Sequence, residues 1–199
     1  MSEIKKGLVT FTFDDGVSKN FKLALDNLEK EDIKATFFLI GETINKNNED
    51  LIKEAYAQGH TIGNHTWTHC DSVKVKEDAF KKEITDTEVK LKSVLNAPIK
   101  YFRPPYGSIN QPVRDTMKAM GYTVVLWNVD ANDWNVKNSK QDMFKYYTTT
   151  FSKADPSKHS YIILQHDRRT DSVESISDIA SIVRGKGFKI VSLDEYLAD

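Results

Sequence analysis

The chain has 199 residues, with 28 lysines and arginines against 29 aspartates and glutamates, and its formal net charge at pH 7 is −1. This balance argues against a polyanion-binding surface, and no run of basic residues interleaved with aromatics is present, so we expect no nucleic-acid partner. Hydrophobic residues make up 39% of the chain, enough for a packed core, and we expect residues 1–199 to form a single domain.

The cysteine content and the apolar runs narrow the class of protein further. Cys70 is the only cysteine, which excludes an internal disulfide and any metal cluster built from several thiolates. No apolar run approaches the roughly 20 residues of a membrane-spanning helix. The first residues, MSEIKKG, lack the apolar segment of a secretory leader, so either the protein is not exported or a leader has been removed.

Seven short apolar or β-branched runs predict strands, and several are uninterrupted, as in parallel strands that are covered on both faces. In chain order these runs are 8–13, 35–40, 60–64, 99–103, 123–129, 160–165 and 188–193. Between them, apolar residues at three- and four-residue spacing predict helices that pack against the sheet. These segments are 18–31, 49–58, 76–96, 110–120, 139–151 and 173–184. The alternation predicts an α/β fold with parallel strands, either an open doubly wound sheet or a closed barrel.

Polar and aromatic side chains follow the C-terminal ends of five of the predicted strands. These clusters are TFDDG (12–16), NHTWTH (64–69), RPPYG (103–107), DANDW (130–134) and LQHD (164–167). In an α/β barrel the C-terminal ends of the strands meet at one edge, where the active site forms. The clusters therefore predict a site at this edge. Tyr106 and Trp134 within them are either core aromatics or walls for a sugar ring.

Two histidines and two aspartates suggest a metal site. His65 and His69 are four residues apart, so that both imidazoles can reach one cation from a helical turn or a compact loop. Asp14 and Asp15 are either part of a turn or functional, and in extended backbone their side chains would point in opposite directions. One carboxylate then binds the metal and the other faces a water molecule. Two histidines, one aspartate and an open position are typical of catalytic zinc.

The remaining histidines and the cysteine are weighed against ordinary structural roles. Cys70 is expected to pack as a small apolar residue and not to bind the metal. His60 and His159 precede their strands and are expected to be structural or exposed. His166 follows the sixth strand and is either a satisfied core residue or, if the metal site belongs to a hydrolase acting on an amide, the proton donor for the departing amine.

Arg103 and Asp133 are charged residues beside strand ends, where burial of an unpaired charge is costly. One interpretation is a structural ion pair. The other is that they are supporting groups, which tune Asp14 and orient His166, and the two interpretations are compatible.

The five clusters, in this order, resemble the motifs of the polysaccharide deacetylase family, also called the NodB-homology or carbohydrate esterase 4 family. The family pattern of TFDDG, H-[ST]-x-x-H, R-x-P-[YF]-G, D-x-x-D-W and L-x-H is present here as TFDDG, HTWTH, RPPYG, DANDW and LQH. The resemblance implies a single-domain distorted (β/α)7-type barrel with its active site at the C-terminal ends of the strands. LQHD and NVDANDW look most similar to chitin deacetylase-like members. One departure is Val17, where the family usually has proline.

The resemblance also implies the roles of the central residues. Asp14 would be the catalytic base and His166 the general acid. Asp15, His65 and His69 would hold one divalent metal ion, with Zn²⁺ expected and Co²⁺ or another transition metal as an alternative.

Further residues would support the reaction or bind the substrate. Arg103 would bond to the base, Asp133 would polarise the acid, and the backbone N–H of Tyr106 would help to bind the oxyanion. Trp134 and Leu164 would line the acetyl pocket, and Tyr106 would also contact the substrate.

The implied activity is metal-dependent removal of acetyl groups from N-acetylglucosamine units of a polysaccharide or oligosaccharide, as in a chitin deacetylase, with release of acetate. The alternatives are an O-acetyl esterase for acetylated xylan and a peptidoglycan N-acetylglucosamine deacetylase. A metal-independent hydrolase of cyclic ureides or imides, and a carbohydrate-binding relative without catalysis, are disfavoured because the ligands and the base are all present. We expect a monomer with an acetylated glycan substrate and a secreted or cell-wall location.

Overall fold

The computed structural model describes residues 5–198, in which strands and helices alternate along the chain. The strands are β1 (Leu8–Gly16), β2 (Thr36–Leu39), β3 (Thr61–Asn64), β4 (Tyr101–Phe102), β5 (Thr123–Val124), β6 (Val129–Asp130), β7 (Tyr161–His166) and β8 (Lys189–Ile190). The helices are α1 (Phe21–Lys30), α2 (Glu49–Ala57), α3 (Glu77–Leu95), α4 (Gln111–Ala119), α5 (Lys140–Ser152), α6 (Thr170–Glu174), α7 (Ile176–Gly185) and α8 (Leu193–Leu197). Within residues 5–198, none of these helices is both long and apolar enough to span a bilayer.

The described residues form two compact units. The first unit consists of residues 5–13, 18–36 and 127–198, and the second consists of residues 14–17 and 37–126. Strand β1 therefore begins in the first unit and ends in the second. The single catalytic domain expected for residues 1–199 remains a prediction.

In the first unit, the sheet is built around the beginning of β1. Strand β8 pairs with it in parallel, with Leu8 opposite Lys189, and the strand order continues from β1 to β7 and β6. Strands β6 and β7 are also parallel. The rings of Phe151, Tyr161 and Phe188 contact one another with centroids 5.2–5.8 Å apart. Such aromatic contacts stabilise a core beyond the effect of area burial alone.

In the second unit, the strands follow the order β5-β4-β3-β2, and the pairs β3–β4 and β4–β5 are parallel. Helix α3 buries the apolar stripe that includes Phe80, Ile84 and Leu91. The ring of Phe80 meets that of Phe102 from β4 in an edge-on contact, with centroids 5.8 Å apart. The amphipathic pattern of α3 therefore faces the sheet, as its sequence predicts.

Several helix ends are fixed by the residues next to them. At the start of α5, the Ser139 hydroxyl accepts a hydrogen bond from the Asp142 backbone N–H, and the Asp142 carboxylate accepts one from the Ser139 N–H. This reciprocal pair satisfies two N–H groups that have no partner within the helix. Gly59 and Gly121 follow α2 and α4 with φ of 88° and 82°, a conformation that glycine adopts without steric cost.

Two predicted elements are interrupted in the structure. The run 123–129 contains two strands, and the carbonyls of Val125 and Leu126, which follow the first of them, accept hydrogen bonds from the guanidinium of Arg103. The segment 173–184 is divided between α6 and α7 at Ser175, whose hydroxyl donates to the Asp171 carbonyl at 2.6 Å. Both interruptions lie beside side-chain contacts that periodicity does not reveal. Helix α8 was not predicted.

Candidate active site

The end of β1 brings two carboxylates to the same side. Asp15 has φ of 69°, so the backbone turns there and the side chains do not alternate as in an extended strand. Oδ2 of Asp14 lies 3.7 Å from Nε2 of His65, and Oδ1 of Asp15 lies 3.4 Å from the same atom. The expectation that the two side chains point in opposite directions is wrong because of this turn.

The loop after β3 positions both predicted histidine ligands. Thr66 and His69 have φ of 65° and 58°, so this segment is a compact loop and not a helical turn. Oδ1 of Asn64 accepts a hydrogen bond from the Thr66 backbone N–H at 3.0 Å, which closes the first part of the loop. The ring centroids of His65 and His69 lie 5.0 Å apart as a result.

Asp15, His65 and His69 form a group of potential metal ligands. Their ligand atoms all lie within 4.8 Å of one another, and Oδ1 of Asp15 lies 3.2 Å from Nε2 of His69. Nδ1 of His65 donates to the backbone carbonyl of Arg103 at 2.7 Å, because a carbonyl can only accept. The neutral ring then has its lone pair on Nε2, on the side of Asp15. Two nitrogens and one oxygen fit a divalent transition-metal ion with open coordination positions.

Tyr106 lies beside the second histidine ligand. It belongs to the short turn Pro105–Gly107, where it has φ of 61°. Its hydroxyl is 3.2 Å from Nδ1 of His69, and the two rings meet edge-on with centroids 4.7 Å apart. Because 69% of Tyr106 is exposed, its ring can contact a ligand as well as His69. Its expected backbone contact with an oxyanion remains a prediction.

A fully buried arginine holds the other carboxylate of β1. Nη1 of Arg103 donates to Oδ1 of Asp14 at 2.8 Å, while Nε and Nη2 donate to the carbonyls of Val125 and Leu126. The guanidinium also lies over the ring of Phe38, 4.3 Å from its centroid. Burial lowers the pKa of Arg103, and the neighbouring Asp14 carboxylate opposes this shift. Arg103 thus binds Oδ1 of Asp14, while Oδ2 faces His65, one of the potential metal ligands.

In the first unit, a second carboxylate orients His166. Oδ1 of Asp133 lies 2.7 Å from Nδ1 of His166, and Oδ2 accepts a hydrogen bond from the backbone N–H of the same residue at 2.7 Å. Asp133 is only 1% exposed. The two bonds fix the ring, and proton exchange by His166 would use Nε2. Arg103 therefore pairs with Asp14, and Asp133 pairs with His166, as the interpretation of the two residues as supporting groups expects.

Ser172 and Arg169 also support this pair and were not predicted. The Ser172 hydroxyl donates to Oδ2 of Asp133 at 2.5 Å, and Nε2 of Gln165 donates to the same hydroxyl at 3.2 Å. Nη1 of Arg169 donates to the backbone carbonyls of Asp133 and Asn135. A buried carboxylate needs several donors, but Ser172 precedes the predicted helix 173–184, so no sequence signal singled it out.

The remaining predicted residues occupy mixed environments. Trp134 is 60% exposed and Leu164 is buried, so only Trp134 presents a large apolar surface to solvent. Cys70 is a free, half-buried cysteine that is not part of the metal-ligand group, and burial raises the pKa of its thiol to about 11. The contributions of Trp134 and Leu164 to substrate binding remain predictions.

The two other histidines have the structural or exposed character expected of them. His60 is buried and meets the ring of Phe37 edge-on, with centroids 5.5 Å apart. His159 is exposed, and its Nδ1 accepts a hydrogen bond from the Asp155 backbone N–H at 3.0 Å.

Comparison with known proteins agrees with these features. Residues 2–125 match the polysaccharide deacetylase family. The chain is 34% identical over 193 residues to a peptidoglycan-N-acetylglucosamine deacetylase of Bacillus cereus, covering 94% of this chain and 67% of that protein. It is 29% identical to the chitin deacetylase of Colletotrichum lindemuthianum, covering 97% of this chain and 80% of that protein.

The solved structure of the chitin deacetylase from Colletotrichum lindemuthianum has a TM-score of 0.92 to this chain at 27% identity. The match covers 98% of this chain and 89% of that one. These findings confirm the resemblance drawn from the five motifs and the predicted α/β fold class. They also agree with the metal-ligand group of Asp15, His65 and His69, although they do not identify the metal.

We predict that Arg103→Met lowers the free energy of unfolding by about 3–5 kcal/mol, because it leaves the Asp14 carboxylate buried without its cation. Urea denaturation measures this loss. Arg184→Met is the matched control, since Arg184 pairs with Glu31 at the surface and such pairs contribute less than about 1 kcal/mol. Equal losses in the two variants would show that the buried pair contributes no more to the free energy of unfolding than a surface pair does.

Proposed function

We propose that the substrate is a chitin-type chain of N-acetylglucosamine units. The premise is that the chain belongs to the polysaccharide deacetylase family, whose members are hydrolases that remove acetyl groups from glycans. The metal-ligand group beside an oriented Asp14 supports the chemistry. The structural similarity to a chitin deacetylase over nearly the whole chain supports the substrate. Action outside the cell or at a cell wall, and a monomeric state, remain predictions.

A second candidate substrate is peptidoglycan. The 34% identity to the Bacillus cereus enzyme favours it, because that protein is named for N-acetylglucosamine in peptidoglycan. Against it stands the near-neutral charge of the chain, which offers no excess of cations for an anionic glycan.

Asp15, His65 and His69 are the residues that would hold the metal ion. A divalent cation held there supplies Lewis acidity, which polarises a carbonyl group and lowers the pKa of water. Zn²⁺ is proposed because two imidazoles and one carboxylate with an open position are typical of its catalytic sites. Co²⁺ accepts the same donors.

Asp14 is proposed as the general base. Its Oδ1 is engaged by Arg103, so the carboxylate cannot rotate freely and Oδ2 stays on the side of His65. A carboxylate in this position can accept the proton of a water molecule that attacks the acetyl carbonyl. The backbone N–H of Tyr106 is proposed to donate to the oxygen on which negative charge develops, a contact typically worth about 3–4 kcal/mol in the transition state.

His166 is proposed as the general acid that protonates the leaving amine. The Asp133 carboxylate fixes Nδ1 and stabilises the protonated ring, so the transferred proton would come from Nε2. Trp134 is proposed to contact a sugar ring with its exposed face, and Leu164 to border the acetyl group.

We predict that the purified protein releases acetate fastest from chitin oligosaccharides when they are compared with peptidoglycan fragments and acetylated xylan. A chelator should abolish the release, and added Zn²⁺ or Co²⁺ should restore it, because the reaction depends on the Lewis acidity of the bound metal ion. Faster release from peptidoglycan would replace the chitin proposal with the second candidate. Binding of metal and chitin oligosaccharides without acetate from any glycan would contradict enzymatic function.

We predict that Asp14→Asn lowers kcat by about 10²–10⁴-fold while the dissociation constant for Zn²⁺ stays within about twofold, because the base is lost but the ligands remain. Acetate release and metal titration measure the two effects. Asp26→Asn is the control, since Asp26 is a carboxylate on the exposed face of α1 that pairs with Lys22. Normal turnover in the Asp14 variant would mean that another group is the base.

We predict that His166→Ala slows cleavage of an N-acetyl amide by at least about 10²-fold but slows hydrolysis of an aryl acetate much less, because a phenolate leaves without protonation. The ratio of the two rates is measured in the same preparation. His159→Ala, at an exposed histidine, should change neither rate. Equal losses with both substrates would contradict the acid role.

A further inference from the structure

Glu83 lies in α3, outside every motif, and its carboxylate contacts the loop that contains the histidine ligands. Oε2 accepts hydrogen bonds from the backbone N–H groups of Trp67 and Thr68, at 2.9 Å and 2.7 Å. Oε1 accepts a third from the Thr68 hydroxyl at 3.0 Å. One carboxylate therefore binds the middle of the segment between His65 and His69.

The loop has a conformation that needs support. Thr66 and His69 both have positive φ, which costs a non-glycine residue roughly 1–2 kcal/mol. The N–H groups of Trp67 and Thr68 point towards Glu83, and a charged acceptor makes stronger hydrogen bonds than a neutral one. The carboxylate can therefore offset part of the cost of this conformation.

The opposite side of the loop is held by main-chain contacts. The N–H groups of Gly41 and Glu42 donate to the carbonyls of Thr66 and Trp67, at 2.9 Å and 3.0 Å. The indole ring of Trp67 packs so closely on Gly41 that a Cβ there would lie 2.4 Å from its Cε3 atom. The loop is thus fixed by the backbone of Gly41 and Glu42, by the Asn64 side chain at Thr66, and by the Glu83 side chain at Trp67 and Thr68.

We propose that Glu83 is a positioning residue for metal binding. Its carboxylate is not part of the metal-ligand group. It holds Trp67 and Thr68 so that the imidazoles of His65 and His69 face Asp15 before any ion arrives. The proposal rests on the metal site of the proposed function, but not on the substrate or on the roles of Asp14 and His166.

The test uses metal-free protein prepared with a chelator and titrated with Zn²⁺ alone. Glu83→Ala should raise the dissociation constant by about 10–100-fold, the usual effect of removing a group that orients metal ligands. Asp86→Asn is the matched control, because Asp86 lies in the same helix and pairs with Lys82 at the surface. Its dissociation constant should stay within about twofold of the unchanged protein. Wild-type affinity in Glu83→Ala would overturn the proposal.

Glu83→Gln separates hydrogen-bond geometry from charge. The amide oxygen can accept from the N–H groups of Trp67 and Thr68, while the amide nitrogen donates to the Thr68 hydroxyl. We therefore expect this variant to recover most of the affinity and to show the same visible absorption spectrum with Co²⁺ as the unchanged protein. Affinity as low as that of Glu83→Ala would contradict the proposed geometry.

Stability of the metal-free protein distinguishes positioning from a general structural role. Urea denaturation without metal is compared among the variants, and positioning predicts a loss of Zn²⁺ affinity in protein that remains folded. If Glu83→Ala does not fold, Glu83→Asp decides the question, because its carboxylate is withdrawn by one methylene group. Wild-type affinity in that variant would overturn the proposal. Failure of the wild-type protein to deacetylate any glycan would leave these affinities unchanged, so the two ideas fail separately.

Discussion

The buried guanidinium of Arg103 is the group on which the second unit's site depends. A buried guanidinium is removed from water, so it requires a counter-charge and hydrogen-bond acceptors for its N–H groups. Arg103 finds these in the Asp14 carboxylate and in the carbonyls of Val125 and Leu126. Its own carbonyl accepts from Nδ1 of His65. One residue therefore orients the proposed base with its side chain and a proposed metal ligand with its main chain.

The first unit also contains a buried charge, but there the charge is negative. There the buried carboxylate of Asp133 accepts hydrogen bonds from the backbone and ring of His166 and from the Ser172 hydroxyl. In both units a desolvated charge has its partners in place before any substrate is present, and in the first unit the charge itself fixes the orientation of the His166 ring. Such preorganisation lowers the free energy that would otherwise be needed to reorient these groups during the reaction.

The sequence predicted the fold class and the metal-ligand group, because strand periodicity and motif spacing are local properties. It offered a turn at Asp14 and Asp15 only as the alternative to a functional role, whereas the structure combines the two, with Asp15 at φ of 69° inside the metal-ligand group. It did not predict Glu83 or Ser172, which lie 16 and 39 residues from the groups they contact. Their importance comes from helices folding onto loops, and a glutamate on a polar helix face otherwise resembles any solvated residue.

The close approach of Gly41 to Trp67 restricts how the loop between the histidines can diverge. Because the indole and the Thr87 hydroxyl both occupy the space that a Cβ at position 41 would need, the identity of position 41 is linked to both of these neighbours. Exchange of the glycine for any larger residue would clash with the indole and with the Thr87 hydroxyl, so a smaller side chain in place of the tryptophan would remove only one of the two clashes. Diversification of this loop would therefore need coordinated substitutions at positions 41, 67 and 87.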